Sequence, residues 1–183
     1  MIQRFIEVIL INQQVKLRKI LMSDVKELVV LCKNNKDFFR QFDFIAPKFE
    51  SSGSAKQTIK SLIKREKKLE AVSYLIIEKN MIVGQVTVNK INWSESWADI
   101  GYWLAEQSIG RGLALMAVGS LLNYLHDSLK IQKIVATTAV SNFRSQKLLT
   151  KLGFTQAKLI RGAVLIHGKE IDDYEYVKLK RLI

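Results

Sequence analysis

Two glycines separated by a single residue, Gly110 and Gly112, stand at the front of a stretch whose apolar spacing is that of a long helix. The first amide groups of a helix have no partner inside it and together carry about half a unit of positive charge. Because glycine has no Cβ atom, an anion can rest directly on those amides, and Arg111 adds a fixed positive charge. These residues predict a phosphate cradle, although a plain tight turn would use the same two glycines.

Other kinds of site have little support in the residues present. The sequence has no Gly-Lys-Ser/Thr run for a Walker loop and no third glycine at the spacing of a dinucleotide-binding fold. It contains one cysteine, Cys32, and two histidines, which are too few ligands for a typical zinc or redox site, and we expect no metal. Cys32 falls within an apolar helical pattern, which predicts a small buried residue rather than a nucleophile.

Size and composition favour one globular domain over residues 1–183, with 48% apolar and 25% charged residues. No apolar run approaches the length of about 18 residues that a membrane span requires, so we expect no membrane association. The N-terminal stretch "MIQRFIEVIL" has no cleavage site after it and is interpreted as part of the mature fold. A single cysteine cannot form an internal disulfide, which favours the cytoplasm.

The charge balance is strongly basic, with 29 basic and 17 acidic residues giving a net charge of +12. This excess either solvates helix faces or attracts an acidic partner such as nucleotide phosphates, RNA or an acidic protein. No interleaving of arginine with aromatic residues and no zinc-finger spacing is present, so we expect no specific nucleic-acid recognition.

The apolar periodicity along the chain predicts a mixed α/β sheet. Alternating patterns predict strands over residues 13–20, 71–79, 82–91, 97–105, 132–140, about 155–165 and about 170–180. Helical patterns cover residues 23–35, 54–69, the stretch from the glycines to about residue 129, and 141–154. The only proline, Pro47, marks a loop between the first two helices.

Around the glycines the sequence resembles the GNAT superfamily of acetyl-CoA-dependent N-acetyltransferases. Their pyrophosphate signature, Gln/Arg-x-x-Gly-x-Gly/Ala at the start of a helix, appears here as Gln107-Ser108-Ile109-Gly110-Arg111-Gly112. The preceding "ADIGYWLAEQ" is similar to a strand of the ribosomal-protein N-terminal acetyltransferases of the RimJ/RimL type, and "SNFRSQKLLTKLGF" is similar to their Asn-x-x-Ser helix. The resemblance covers nearly the whole chain. It implies a GNAT fold: a mostly antiparallel sheet of about seven strands and about four helices, with a splay between the fourth and fifth core strands.

The resemblance also implies roles for individual residues in moving an acetyl group from a coenzyme A thioester to an amine. Backbone amides of residues 109–114 would hold the pyrophosphate, and the strand edge at 101–104 would pair with the pantetheine arm as an added strand. Asn142 would hydrogen-bond the arm and Ser145 would protonate the departing thiolate. Taken without the family, Asn142 is a helix N-cap and Ser145 a surface hydroxyl. The positions assigned to the cofactor are Tyr102, Trp103, Leu104, Gln107, Ile109, Gly110, Arg111, Gly112, Leu113, Ala114 and Asn142.

The general base is where this sequence departs from the subgroup. The resemblance implicates a glutamate on the penultimate strand, and Val164 stands at that place. Asp99 is the best carboxylate left, although it could equally be a solvent-facing strand residue or an ion-pair partner. Two alternatives stay open: water relays alone would suffice for an amine of pKa near 8, or the acceptor differs from that of the relatives.

The acceptor that the subgroup implies is the N-terminal α-amine of a ribosomal protein. A basic enzyme would be attracted to an acidic stalk protein, whereas its net charge would repel a polyamine unless a local acidic pocket overrides that charge. A small-molecule amine is another alternative. So is a non-catalytic module that binds acetyl-CoA as a sensor or scaffold on RNA or the ribosome, which Val164 favours. The subgroup often pairs through its sheets, which predicts a homodimer.

Overall fold

The computed structural model describes residues 5–40, 46–166 and 168–180, and these ranges form one eight-stranded sheet. The strand order is β1-β2-β3-β4-β5-β6-β8-β7, and every neighbouring pair is antiparallel except β5 with β6, which is parallel. The strands are β1 (Val8–Leu10), β2 (Val15–Lys19), β3 (Val72–Glu78), β4 (Met81–Asn92), β5 (Trp97–Leu104), β6 (Lys133–Ala139), β7 (Thr155–Ile166) and β8 (Lys169–Leu179).

Helices cover both faces of this sheet. They are α1 (Val25–Asn34), α2 (Lys36–Arg40), α3 (Ser52–Lys67), α4 (Leu113–Asn123) and α5 (Phe143–Lys151). The last turn of α4 widens into a π-helical turn at Tyr124–Ser128, and 3₁₀ turns occur at Met22–Asp24, Ala46–Phe49 and Glu106–Ser108. Within the described ranges, no helix is long and apolar enough to cross a bilayer.

The sheet separates two apolar cores because successive side chains on a strand point to opposite faces. One core packs under α4 and α5, and its fully buried members include Leu17, Ala117 and Leu121. The other packs under α1 and α3, and its fully buried members include Leu28, Ile59 and Leu75. Strand β3 is buried along its whole length, as expected of a strand covered on both faces.

Strands β5 and β6 pair for only part of their length. Their register runs from Trp97 with Lys133 to Ile100 with Ala136 and then ends. On its other side, β5 goes on pairing with β4 as far as Leu104 with Gly84. The backbone groups of Gly101–Leu104 that face β6 are therefore free of the sheet, and the predicted splay is confirmed.

The predicted elements agree with the observed ones to within a few residues, and the mixed, mostly antiparallel sheet is confirmed. The sheet has eight strands where about seven were predicted, and five helices where about four were predicted. The additional elements are β1 and α2, which are three and five residues long. Segments this short contain too few periods for a hydrophobic pattern to be detected. Part of the loop predicted around Pro47 and one residue of the final hairpin turn, His167, lie outside the described residues.

Candidate active site

A cavity of about 400 Å³ opens where β5 leaves β6. Its volume lies within the range of roughly 300–1,000 Å³ that is usual for small-molecule sites. It is lined by the end of β5, the turn that leads into α4, one face of α5 and two phenylalanines of α2. These residues are Phe38, Phe39, Tyr102, Trp103, Leu104, Ile109, Gly110, Gly112, Leu113, Ala114, Leu115, Asn142, Arg144, Ser145, Lys147, Leu148 and Lys151.

The turn before α4 has the geometry predicted for an anion cradle. Gly110 and Gly112 have φ of 80° and 75°, the left-handed region in which glycine alone is unstrained. A Cβ built on either glycine would meet nothing within 4 Å among the described residues. Gly112 is the N-cap of α4, and no described side chain caps this helix. The unpaired amides of its first turn therefore belong to residues that line the cavity.

Arg111 is not directed at the cradle. Its guanidinium makes a bidentate ion pair with Glu78 at the end of β3, with N–O distances of 2.8 and 2.6 Å. The Glu78 side chain is only 10% exposed, against 48% for Arg111. A buried carboxylate needs a partner more than a solvent-exposed phosphate site does, so the arginine pairs with Glu78. Neither Arg111 nor the exposed Gln107 lines the cavity.

Positive charge reaches the cavity from α5 instead. Arg144, Lys147 and Lys151 follow one another at spacings of three and four residues, which places them on one face of the helix. All three line the cavity. Sequence reasoning missed this row of cations, although their helical spacing within the Asn-x-x-Ser segment was a signal that could have identified them.

Two hydroxyl groups meet on the inner wall of the cavity. The oxygens of Tyr102 and Ser145 are 2.7 Å apart, joining β5 to the first turn of α5. Burial raises the pKa of Tyr102 to about 12, so its hydroxyl keeps its proton at neutral pH. The Ser145 amide donates to Oδ1 of Asn142 at 3.1 Å, which confirms Asn142 as the N-cap of α5. Asn142 also lines the cavity, so the cap does not prevent it from contacting a ligand there.

The cavity reaches around the end of β5 because Tyr102 and Trp103 point to opposite faces of the strand. The Trp103 indole N–H donates to Oε1 of Gln85 at 2.8 Å, and its ring packs edge-on against Phe39 with centroids 5.2 Å apart. These two contacts fix the orientation of the Trp103 ring at the far wall of the cavity.

Asp99 lies on the face of the sheet opposite to Ser145, beside a second depression of about 360 Å³. It is two residues before Gly101, on the same face as Trp103. Asn89 donates to its carboxylate at 3.2 Å. Burial, and secondly the negative charge of Glu175, raise the pKa of Asp99 above its ordinary value. Val164, on β7 opposite Ile171, is among the lining residues of neither cavity.

Two other side chains that could act as a nucleophile or a base, Cys32 and His126, are buried. Cys32 is buried in the core under α1, and burial raises the pKa of its thiol to about 12, so it is not a thiolate nucleophile. The His126 ring is buried, and its Nδ1 lies 2.8 Å from the carbonyl oxygen of Ile131. Within the described ranges, no group of three His, Cys, Asp or Glu side chains could hold a metal ion.

The site combines a strand edge that the splay leaves unpaired with a helix N-terminus whose amides are unpaired. These two features together define a protein that binds an extended anionic ligand. Residues 14–155 match the family model described as an acetyltransferase (GNAT) domain, and the chain belongs to this family of acetyltransferases. The predicted resemblance is thereby confirmed.

Related proteins match over almost their whole length. The uncharacterized N-acetyltransferase p20 of Bacillus licheniformis is 30% identical, with 94% of this chain and 96% of that protein covered. The ribosomal-protein-serine acetyltransferase of Escherichia coli (strain K12) is 24% identical, with 94% of each covered. A solved structure of RimL, a ribosomal L7/L12 alpha-N-protein acetyltransferase in complex with coenzyme A, superposes with a TM-score of 0.90 at 25% identity, covering 94% of this chain and 98% of that one.

Proposed function

We propose that this protein is an acetyl-CoA-dependent N-acetyltransferase whose acceptor is the N-terminal α-amine of a ribosomal protein. The observation that carries the proposal is the hydroxyl pair of Tyr102 and Ser145, 2.7 Å apart, at the freed edge of β5. Family membership supplies the reaction class, and the names of the Escherichia coli relative and of RimL support the acceptor.

The backbone and the charges that line the cavity support acetyl-CoA as its ligand. The diphosphate would rest on the amides of residues 109–114, where both glycine Cβ positions face open space. Arg144, Lys147 and Lys151 would supply the positive charge that the phosphates require. The amide groups of the pantetheine arm would pair with the free backbone of Gly101–Leu104, as an added strand does. Bound in this way, acetyl-CoA supplies an activated thioester.

Ser145 would protonate the departing sulfur. In the transfer, a carbon–nitrogen bond to the amine forms and the carbon–sulfur bond breaks, so the thiolate needs a proton. The Ser145 hydroxyl lines the cavity that would hold the arm, and the protonated Tyr102 hydroxyl is within hydrogen-bond distance of it. Tyr102 would therefore stabilise the serine oxygen as its proton leaves.

Asp99 would take the proton that the amine must lose. It lies on the opposite face of the sheet, two residues from the point where the splay begins. An amine approaching from that face would meet the thioester through the opening between β5 and β6. Because burial raises the pKa of Asp99, this carboxylate is a stronger base than an ordinary aspartate.

An acidic ribosomal protein would suit the net charge of +12, since opposite charges favour encounter. The ribosome also places the proposed acceptor in the cytoplasm. The homodimer stays a prediction; in its favour, Leu159 and Leu165 expose apolar side chains on β7, the last strand at one edge of the sheet.

The proposal is tested by measuring thiol release from acetyl-CoA with N-terminal peptides of ribosomal proteins. We expect Ser145→Ala to lower kcat about a hundredfold, the usual contribution of a positioned proton donor, while the Kd of coenzyme A stays within about threefold. Thr150→Ala removes another hydroxyl from the same helix and should leave kcat unchanged. Tight coenzyme A binding with no turnover for any amine would instead indicate a non-catalytic module, and turnover only with small amines would remove the ribosomal acceptor.

A further inference from the structure

The depression beside Asp99 is lined by both acidic and basic side chains, and the two kinds occupy different parts of it. Asp99 and Glu175 contribute carboxylates, and Lys90, Lys133 and Lys158 contribute ammonium groups. Its volume of about 360 Å³ accommodates a short peptide end rather than a single ion.

The two carboxylates lie near the splay, and Lys133 lies farther from it. Glu175 pairs with Thr137, one residue beyond the last β5–β6 pair, and Asp99 pairs with Val135, one residue before it. Lys133 pairs with Trp97, two residues further from the opening than Asp99. With a rise of about 3.3 Å per residue, this separation is about 7 Å, the length of two residues of an extended peptide.

The three lysines differ in the groups with which their ammonium groups interact. Lys158 makes an ion pair with Glu175 at 3.4 Å. The Lys90 ammonium lies 5.4 Å from the centre of the Trp97 ring, a cation–π contact. Lys133 is exposed and has no charged partner among the described residues. It is therefore the cation that is free to bind a carboxylate brought by a ligand.

We propose that this depression is the acceptor site and that Lys133 selects peptides with an acidic side chain at the second or third residue. The inference rests on the proposed function, since it takes the acceptor to be an amine delivered through the splay. The amine would lie between Asp99 and Glu175, and the acidic side chain about two residues along would reach Lys133. A polyamine is disfavoured because its second cation would meet Lys133.

The test compares peptides that begin with the same residue and carry Asp, Asn or Lys at the second or third position. We expect the wild-type kcat/KM for the Asp peptide to exceed that for the Asn peptide about three- to fivefold, the upper range for an exposed charge pair. Lys133→Glu should reverse the order in favour of the Lys peptide. Lys26→Glu makes the same charge change on the exposed side of α1, and should keep the wild-type order.

The outcomes separate the two proposals. Turnover with equal kcat/KM for all peptides, or an order that Lys133→Glu leaves unchanged, overturns the acceptor-site inference alone. Absence of turnover with every amine in the wild-type protein overturns the proposed function and this inference with it. Thermal unfolding of Lys133→Glu at the wild-type midpoint verifies that the variant is folded.

Discussion

The environment of Asp99, the proposed base, disfavours its charged form and so lowers the stability of the folded protein. Its carboxylate is partly withdrawn from water and faces a second carboxylate, Glu175, so that the charged form is disfavoured in the folded protein. The hydrogen bond from Asn89 compensates only in part, since the net shift of the pKa of Asp99 is upward. Strain of this kind is common where a group must act as a base.

Replacing Asp99 with Asn should stabilise the protein at neutral pH while lowering its acetyltransferase activity. The pKa of Asp99 is raised above 3.8 in the folded state, so the folded protein binds more protons than the unfolded chain between the two pKa values. Wild-type stability therefore falls, relative to the Asn variant, as the pH rises from 3.8 through the folded-state pKa, and the difference is constant above it. Thermal unfolding from acid to neutral pH measures this difference.

Glu50→Gln is the matched control for that measurement, because Glu50 is an exposed carboxylate. It should leave the pH dependence of unfolding at the wild-type slope. An Asn variant at Asp99 that is less stable than the wild type at neutral pH would contradict the strain assigned to this residue.

Among the structural elements, the turn from residue 109 to 112 contributes most to the proposed cofactor site. It exposes the amides of α4 by using two left-handed glycines in place of a side-chain cap. The ion pair of Arg111 with Glu78 ties the same turn to the end of β3. The turn is thus held by a side chain that points away from the cavity, which leaves its inner surface as bare backbone.

Gly112→Ala should lower the binding free energy of coenzyme A by more than it lowers the free energy of unfolding. Alanine at φ of 75° is strained by about 1–2 kcal/mol, and its Cβ would project into the open space of the cradle. Loss of one hydrogen bond to a charged phosphate is worth about 1.5–3 kcal/mol, which corresponds to a tenfold or greater rise in Kd. Calorimetric titration of coenzyme A and urea unfolding measure the two effects.

Gly168→Ala is the matched control on the β7–β8 turn. Gly168 has φ of 76° and likewise nothing within 4 Å of a built Cβ among the described residues. The two variants should lose similar stability, and only Gly112→Ala should lose affinity for coenzyme A. Equal affinity in both variants would mean that the phosphates bind elsewhere.

At the scale of the whole molecule, the net charge of +12 should make reactions with anionic substrates depend on salt. The Debye length shrinks from about 30 Å at 0.01 M salt to about 10 Å at 0.1 M. We expect kcat/KM for acetyl-CoA to fall several-fold over this range, and to fall less for a dephosphorylated analogue with fewer charges. Sucrose at equal osmolality is the control, and a kcat/KM independent of salt would show that the excess charge has no steering role.

The amino-acid sequence by itself determined the features that depend on a few neighbouring residues. Strand β5 was predicted over residues 97–105 and is observed at Trp97–Leu104, because side-chain alternation is a property of the strand itself. Gly110 and Gly112 were predicted to form a bare turn, and both have positive φ. Cys32 was predicted to be buried from its helical neighbours alone, and it is.

Only the tertiary structure decided which distant side chains meet. Arg111 was predicted to face a bound anion, but it forms an ion pair with Glu78, which is 33 positions away in the sequence. Tyr102 meets Ser145 across 43 positions, and Asp99 is on the opposite face of the sheet from both. These pairings follow from strand register and helix packing, which bring together residues that no local pattern connects.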